Sequence, residues 1–229
     1  MTSEKDRLLA NLETIEHRIA RACEKSARPR SSVRLVAVTK THPVNTVQTL
    51  IDIGIRDIGE NRTAEIEEKA PRLQGDFTMH MVGHLQTNKV AHILPHVGWI
   101  QSIDRERLVS RIEFLHRGTE KFKALVEVNT SGEASKSGCL PDECKTLCER
   151  VLQSGALEFR GLMTIGPLNG TEAETRRSFA LLRKLGQECS GMQRDLELSM
   201  GMSGDFEWAI EEGATIIRIG SALIGERAQ

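Results

Sequence analysis

Tyrosine is absent from all 229 residues, so no phenol is available for proton transfer. Net positive charge is also missing: 31 basic residues stand against 32 acidic ones, for a formal charge of −1. Without a basic field the chain is not expected to bind nucleic acid or an anionic membrane surface. No run approaches the roughly 18–20 apolar residues that span a bilayer. The opening MTSEKDRLLANLETIE is polar and acidic from residue 4, so it is not expected to be a secretory leader. The five cysteines (Cys23, Cys139, Cys144, Cys148, Cys189) form no CxxC pair, and such a scattered set reads as reduced thiols in the cytoplasm. No repeat array, low-complexity tract or Pro/Gly-rich linker divides the chain, so residues 1–229 are expected to be one domain.

What is present is regular alternation. Leu8, Leu12, Ile15, Ile19 and Ala22 step by 4, 3, 4 and 3, one face of an amphipathic helix within residues 1–28 that Arg28-Pro29 closes. Strands are expected at 33–39, 57–60, 78–83, 98–103, 124–129, 158–165, 197–200 and 215–220, the second and seventh being short. Helices are expected near 44–54, 61–70, 86–94, 104–117, 141–154, 171–189 and 204–212. Val33, Leu35, Val36, Ala37 and Val38 are apolar almost without interruption, as are Ala124, Leu125 and Val126, which suits strands covered on both faces. Strict β/α alternation implies a parallel sheet. Eight units in this length fit the closed α/β barrel, (β/α)8 or TIM type, with an extra N-terminal helix packed on it.

In that barrel, chemistry sits where strands end. Lys40 follows the apolar first strand, so its amine is expected at the barrel mouth against low-dielectric walls. Desolvation would favour the neutral, nucleophilic form that condenses with an aldehyde. Taken alone, such a lysine reads as a solvated strand end, and only the loops after strands seven and eight shift that reading. Gly201-Met202-Ser203-Gly204 and Gly220-Ser221 supply glycine-opened backbone and hydroxyls after strands seven and eight, where phosphate sites of this barrel lie. Ser203 is also placed to cap the helix starting near Asp205. Plain loop closure is the alternative for both segments.

Other patterns carry less. The His80/His84 and His92/His96 spacings lack the carboxylate of a metalloprotease motif, and no metal site is expected. Cys144 and Cys148 share a helix face as small core residues. No GxSxG elbow surrounds any serine. Glu65-Ile66-Glu67-Glu68-Lys69 reads as a solvated helix face.

The chain resembles the YggS/PROSC family of pyridoxal phosphate homeostasis proteins over nearly its whole length. The resemblance is carried by VAVTK at 36–40, GENR at 59–62, HMVGHLQTNK at 80–89, VNTSGEASKSG at 128–138, GLMTIGP at 161–167, LSMGMS at 198–203 and RIGSA at 218–222. It departs at Met79, where relatives often carry an aromatic. The resemblance implies a barrel like the alanine racemase N-terminal domain, with pyridoxal 5′-phosphate held as an internal aldimine on Lys40. It further implies that Ser203, Gly220 and Ser221 hold the phosphate, that Arg218 faces the pyridine nitrogen, and that Asn61 lies near the ring. No catalytic residue is assigned, because the role it implies is cofactor homeostasis and not turnover.

A two-base racemase needs a proton-transfer group on each face of the substrate α-carbon. Alanine racemases draw one from a tyrosine of a second domain, and neither that residue nor length for that domain is expected here. An arginine offers no acceptor and disfavours protonation of the pyridine nitrogen, which weakens the ring as an electron sink. The expected protein is therefore a monomeric cofactor carrier or reservoir, its partners being pyridoxal phosphate and apo-enzymes that need it. A weak racemase-type enzyme is the alternative, and a Schiff-base barrel acting on a phosphorylated metabolite is the third. Lys89 and Lys136 read as solvated surface lysines, with a second cofactor site there left open.

Overall fold

The computed structural model describes residues 3–189, 191–192 and 195–225. The terminal residues 1–2 and 226–229 of the expected 1–229 unit lie outside the described residues. Helix α1 (Glu4–Lys25) is followed by β1 (Arg34–Val38), α2 (Val44–Asp52), β2 (Asp57–Glu60), α3 (Thr63–Lys69), β3 (Thr78–Met81), α4 (Val90–Ile93) and β4 (Trp99–Ile103). The chain continues through α5 (Glu106–Leu115), β5 (Phe122–Glu127), α6 (Cys144–Leu152), β6 (Leu157–Met163), α7 (Glu172–Cys189), β7 (Glu197–Ser199), α8 (Phe206–Glu211), β8 (Ile216–Ile219) and the short α9 (Ser221–Ile224). The strands form a closed parallel barrel in sequence order. β8 returns beside β1 with Leu35 opposite Ile217 and Ala37 opposite Ile219.

The two-residue period of each strand sorts side chains between two cores. Leu35 and Ala37 of β1 join the large core between sheet and helices, with Ile58, Ile100, Ala124, Leu162 and Ile217. Val36 joins the smaller cluster of Trp99, Leu125, Met163 and Ile216. Polar residues two positions further along the same strands, Gln101, Glu127 and Arg218, share the inner register and are also buried. The barrel is thus apolar through its middle and polar toward its C-terminal end.

Helix α1 forms as its spacing predicts. A reciprocal cap starts it: the Ser3 hydroxyl accepts from the Asp6 N–H, and the Asp6 carboxylate accepts from the Ser3 N–H. Leu8, Ile15, Ile19 and Ala22 are buried, while Leu12 is partly buried against the same core. The helix packs on α8 and α9. Its Arg18 makes a two-pronged pair with Glu207, at 2.9 and 2.7 Å. Its Asn11 and Arg7 donate to the carbonyls of Leu223 and Ile224. The extra helix thereby fixes α9, whose first turn borders the barrel mouth.

Candidate functional site

A cavity of about 430 Å³ opens at the C-terminal end of the barrel. Its lining includes Lys40, Asn61, Ser203, Arg218, Gly220 and Ser221, so all six residues singled out from the sequence face one space. Each reaches it by an identifiable local cause.

Lys40 stands in the turn after β1. Its neighbour Thr41 has φ +66°, a left-handed conformation that costs a β-branched residue and needs holding. The hold is a buried ionic cluster. Lys69 Nζ donates to the Thr39 carbonyl at 2.9 Å, to Glu60 Oε1 at 2.7 Å and to Glu65 Oε2 at 2.7 Å. The Thr39 hydroxyl donates to Glu60 Oε1 at 2.6 Å, and the Thr41 N–H donates to Glu65 Oε2 at 2.6 Å. Both sides of Lys40 are thus tied to one ammonium and two carboxylates. Burial pushes Glu60 above the usual carboxylate range, against the opposing pull of Lys69 and Thr39. Burial also acts to raise Glu65, but Lys69 and the Thr41 N–H outweigh it and hold Glu65 low.

This cluster corrects the reading of residues 65–69 as a solvated face at Glu65 and Lys69, while Glu67 and Glu68 are exposed as expected. Lys69 is only 3 % exposed and Glu60 is fully buried. The i, i+4 pair on α3 points inward because β2 ends in a carboxylate that needs a cation beneath it. Lys40 itself is exposed at the cavity rim, so the desolvation expected for its amine is not found. The strand stops at Val38, and Lys40 stands two positions beyond it, outside the apolar barrel.

Asn61 is set by close approach. A Cβ at Gly83 would lie 2.3 Å from the Asn61 carbonyl, so only glycine lets the ends of β2 and β3 pack this tightly. Across the mouth, Gly201 has φ +92°, and a Cβ there would sit 2.5 Å from Ala209 Cβ. That turn delivers Ser203, whose Oγ accepts from the N–H groups of Gly220 at 3.3 Å and Ala222 at 3.2 Å. Ser203 therefore does not cap α8. Asp205 is the residue before that helix, and its carboxylate accepts from the Met202 N–H at 2.5 Å instead. Ser203 joins the loops after β7 and β8, which places a hydroxyl and two backbone donors together.

Arg218 is 4 % exposed and ends a hydrogen-bonded series across the barrel. Asp57 lies 2.8 Å from His80 Nε2, His80 Nδ1 lies 3.0 Å from Gln101 Nε2, Ser199 Oγ lies 2.6 Å from Gln101 Oε1, and Arg218 donates to Ser199 Oγ at 2.6 Å. Burial lowers His80, so its ring is neutral, and a neutral ring admits one assignment. Nε2–H donates to Asp57, the Gln101 amide donates to Nδ1, and the Ser199 hydroxyl donates to Gln101 and accepts from Arg218. Arg218 also donates to the Thr164 carbonyl at 2.8 Å. Burial pulls its guanidinium down to about 10, opposed by Glu127 and Asp205, and it remains cationic at neutral pH. Burial and Asp104 push Glu127 up to about 7, and its Oε2 has no partner among the described residues.

His80 and His84 do not converge, because His84 pairs with Asp104 at 3.1 Å. His92 lies 2.7 Å from Glu67. Lys89 is exposed as expected. Lys136 is not a free surface lysine: it pairs with Glu133 at 3.2 Å, donates to the Gly166 carbonyl, and is half-buried.

The fold and site define a class: residues 10–228 match the family described as "Alanine racemase, N-terminal domain". A pyridoxal phosphate homeostasis protein of Aquifex aeolicus is 39% identical over 228 residues, covering 94% of this chain and 96% of the relative. A crystal structure of an unknown protein from Bifidobacterium adolescentis superposes with a TM-score of 0.90 at 36% identity, covering 96% of this chain and 95% of that one. PipY of Synechococcus elongatus, with PLP bound, has a TM-score of 0.76 at 36% identity, covering 92% of this chain and all of that one. The chain belongs to the pyridoxal phosphate homeostasis protein family within that class.

Proposed function

We propose that this chain binds pyridoxal 5′-phosphate and acts in its homeostasis, with Lys40 as the point of covalent attachment to the cofactor's aldehyde. The observation that carries the reading is the cavity that brings Lys40 and Arg218 together with the Ser203–Gly220 junction. The residues present fit the group. Ser203, Gly220 and Ser221 offer hydroxyl and backbone donors for a phosphate, and phosphate contacts of this barrel lie in these loops. Arg218 offers only donors to a ring nitrogen. Asn61 and Val82 stand on the β2 and β3 side, and Ile165 and Met202 on the other. When bound, the cofactor supplies an aldehyde that exchanges reversibly between amines.

The chain's own contribution is to hold and release. The Lys69 cluster orients Lys40, and Arg218, fixed by Ser199 and Thr164, keeps a positive charge at the cavity floor. An exposed Lys40 is reachable by an incoming amine, which suits transfer to an apo-enzyme better than sequestration for turnover. We assign the chain no catalytic residue, since none of its residues is a tyrosine and Arg218 opposes protonation of the ring nitrogen. The carrier works as a monomer in the cytoplasm on this reading. Among the described residues no helix is long and apolar enough to cross a membrane.

The test is restoration of an apo pyridoxal-phosphate enzyme by the loaded protein under dilution, compared with free cofactor at equal concentration. Transfer faster than free cofactor supports the carrier. Restoration no faster than free cofactor overturns it, and stereochemical turnover of an amino acid would favour the racemase alternative.

A further inference from the structure

Three buried thiols meet outside the barrel, away from the cofactor cavity. Cys144 and Cys148 lie one turn apart on α6, and Cys189 ends α7, which packs beside it. The three Sγ atoms all lie within 4.8 Å of one another, with Cys144 and Cys148 at 4.0 Å. Relative exposures are 0 %, 0 % and 1 %. Sequence spacing paired only the first two, because Cys189 arrives from another helix.

The ligand class follows from count, charge and setting. No His, Asp or Glu joins the three sulfurs among the described residues, so a fourth protein ligand for tetrahedral zinc is missing. The thiols sit in the main hydrophobic core, with Leu147, Val151 and Leu185 buried on the same two helices. A net charge there is costly. Three thiolates leave a divalent ion at −1 and a monovalent one at −2, while a trivalent centre is neutral.

The geometry points to a binding site for one trivalent, thiophilic centre of the arsenite class, held by Cys144, Cys148 and Cys189. The reaction is a condensation without redox change. Three S–H and three As–O bonds break, three As–S bonds form, and arsenous acid leaves its oxygens as three waters.

The test uses the full chain, reduced with a phosphine in place of a competing dithiol. It is exposed to sodium arsenite both folded and during refolding from denaturant, so slow entry cannot hide the site. The expected adduct holds one arsenic per chain, and three of the five thiols no longer react under denaturing conditions. Cys23→Ala and Cys139→Ala leave it unchanged. Cys144→Ala, Cys148→Ala or Cys189→Ala weakens binding by more than about a hundredfold, beyond the loss of a supporting partner. Should a variant fail to fold, peptide mapping of the wild-type adduct identifies the three sulfurs. No adduct after refolding, an adduct that consumes two thiols, or tighter binding of zinc than of arsenite would overturn the assignment. None of these outcomes depends on pyridoxal phosphate.

Discussion

Replacing Lys69 by Met separates the energetic role of the ionic cluster from its role at Lys40. The ammonium is 3 % exposed and donates to Glu60, Glu65 and the Thr39 carbonyl. Its loss leaves Glu60 fully buried, with Oε1 supported by the Thr39 hydroxyl alone and Oε2 without a partner. Breaking a buried pair from one side costs about 3–5 kcal/mol. For a chain of this length that is a fall of about 10 °C in Tm. The cost depends on pH. Glu60 is already raised by burial, and without Lys69 it rises further. The folded variant then binds a proton that the unfolded chain releases above about pH 4.3. Its stability falls as pH rises through that window, by at most about 1.4 kcal/mol per unit. Urea denaturation of wild type and Lys69→Met at pH 5, 6.5 and 8 reads this directly. The loss should be smallest at pH 5, and adding Glu60→Gln should recover much of it at pH 8. Freed from both ties, the turn bearing Lys40 should also bind pyridoxal phosphate more weakly. A loss below about 1 kcal/mol, or one equal at all three pH values, would refute the cluster as a buried clamp.

Glu127 has its folded pKa raised to about 7, above the unfolded value, so its ionisation opposes folding. The penalty is absent below about pH 4.3, grows as pH rises toward 7 and is complete above it, reaching about 4 kcal/mol. Glu127→Gln should therefore stabilise the chain at pH 8 and leave it unchanged at pH 4.5 in thermal melts. Gly201→Ala should destabilise by more than about 2 kcal/mol, because φ +92° and a 2.5 Å approach to Ala209 both oppose a Cβ. Ser203→Ala should weaken pyridoxal phosphate about tenfold while leaving phosphate-free pyridoxal nearly unaffected, as one hydrogen bond to a charged group is lost. Equilibrium spectroscopic titration with the two ligands measures that ratio.

Much of this architecture is legible in the residues. The eight strands lie where apolar runs and β/α alternation put them, since burial on both faces leaves a continuous signal. The boundaries shift by a few residues at most: 33–39 becomes Arg34–Val38, and 124–129 begins earlier, at Phe122. Lys40, Ser203, Gly220 and Ser221 are legible because an amine, glycines and hydroxyls stand at strand ends, whereas Asn61 and Arg218 are reached only through the family resemblance. The supporting layer was not. Nothing in the local pattern of α3 distinguishes a lysine turned inward from one in water, because its partner Glu60 comes from a strand. The Asp57–His80–Gln101–Ser199–Arg218 series joins five strands, and alternation tells which face each side chain takes but not which neighbour it meets. Ser203 satisfies both the motif of a helix cap and that of a loop junction, and its Oγ is taken by the Gly220 and Ala222 N–H groups, which come from a different strand end.

The central claim is that Lys40 is where the cofactor is joined to the chain. The protein is loaded with pyridoxal 5′-phosphate, reduced with borohydride and digested, and the modified peptides are sequenced by mass spectrometry. One modified lysine, Lys40, with no label in Lys40→Ala, is the expected result. Label on Lys89 or Lys136 in place of Lys40, or undiminished label in Lys40→Ala, would contradict the account.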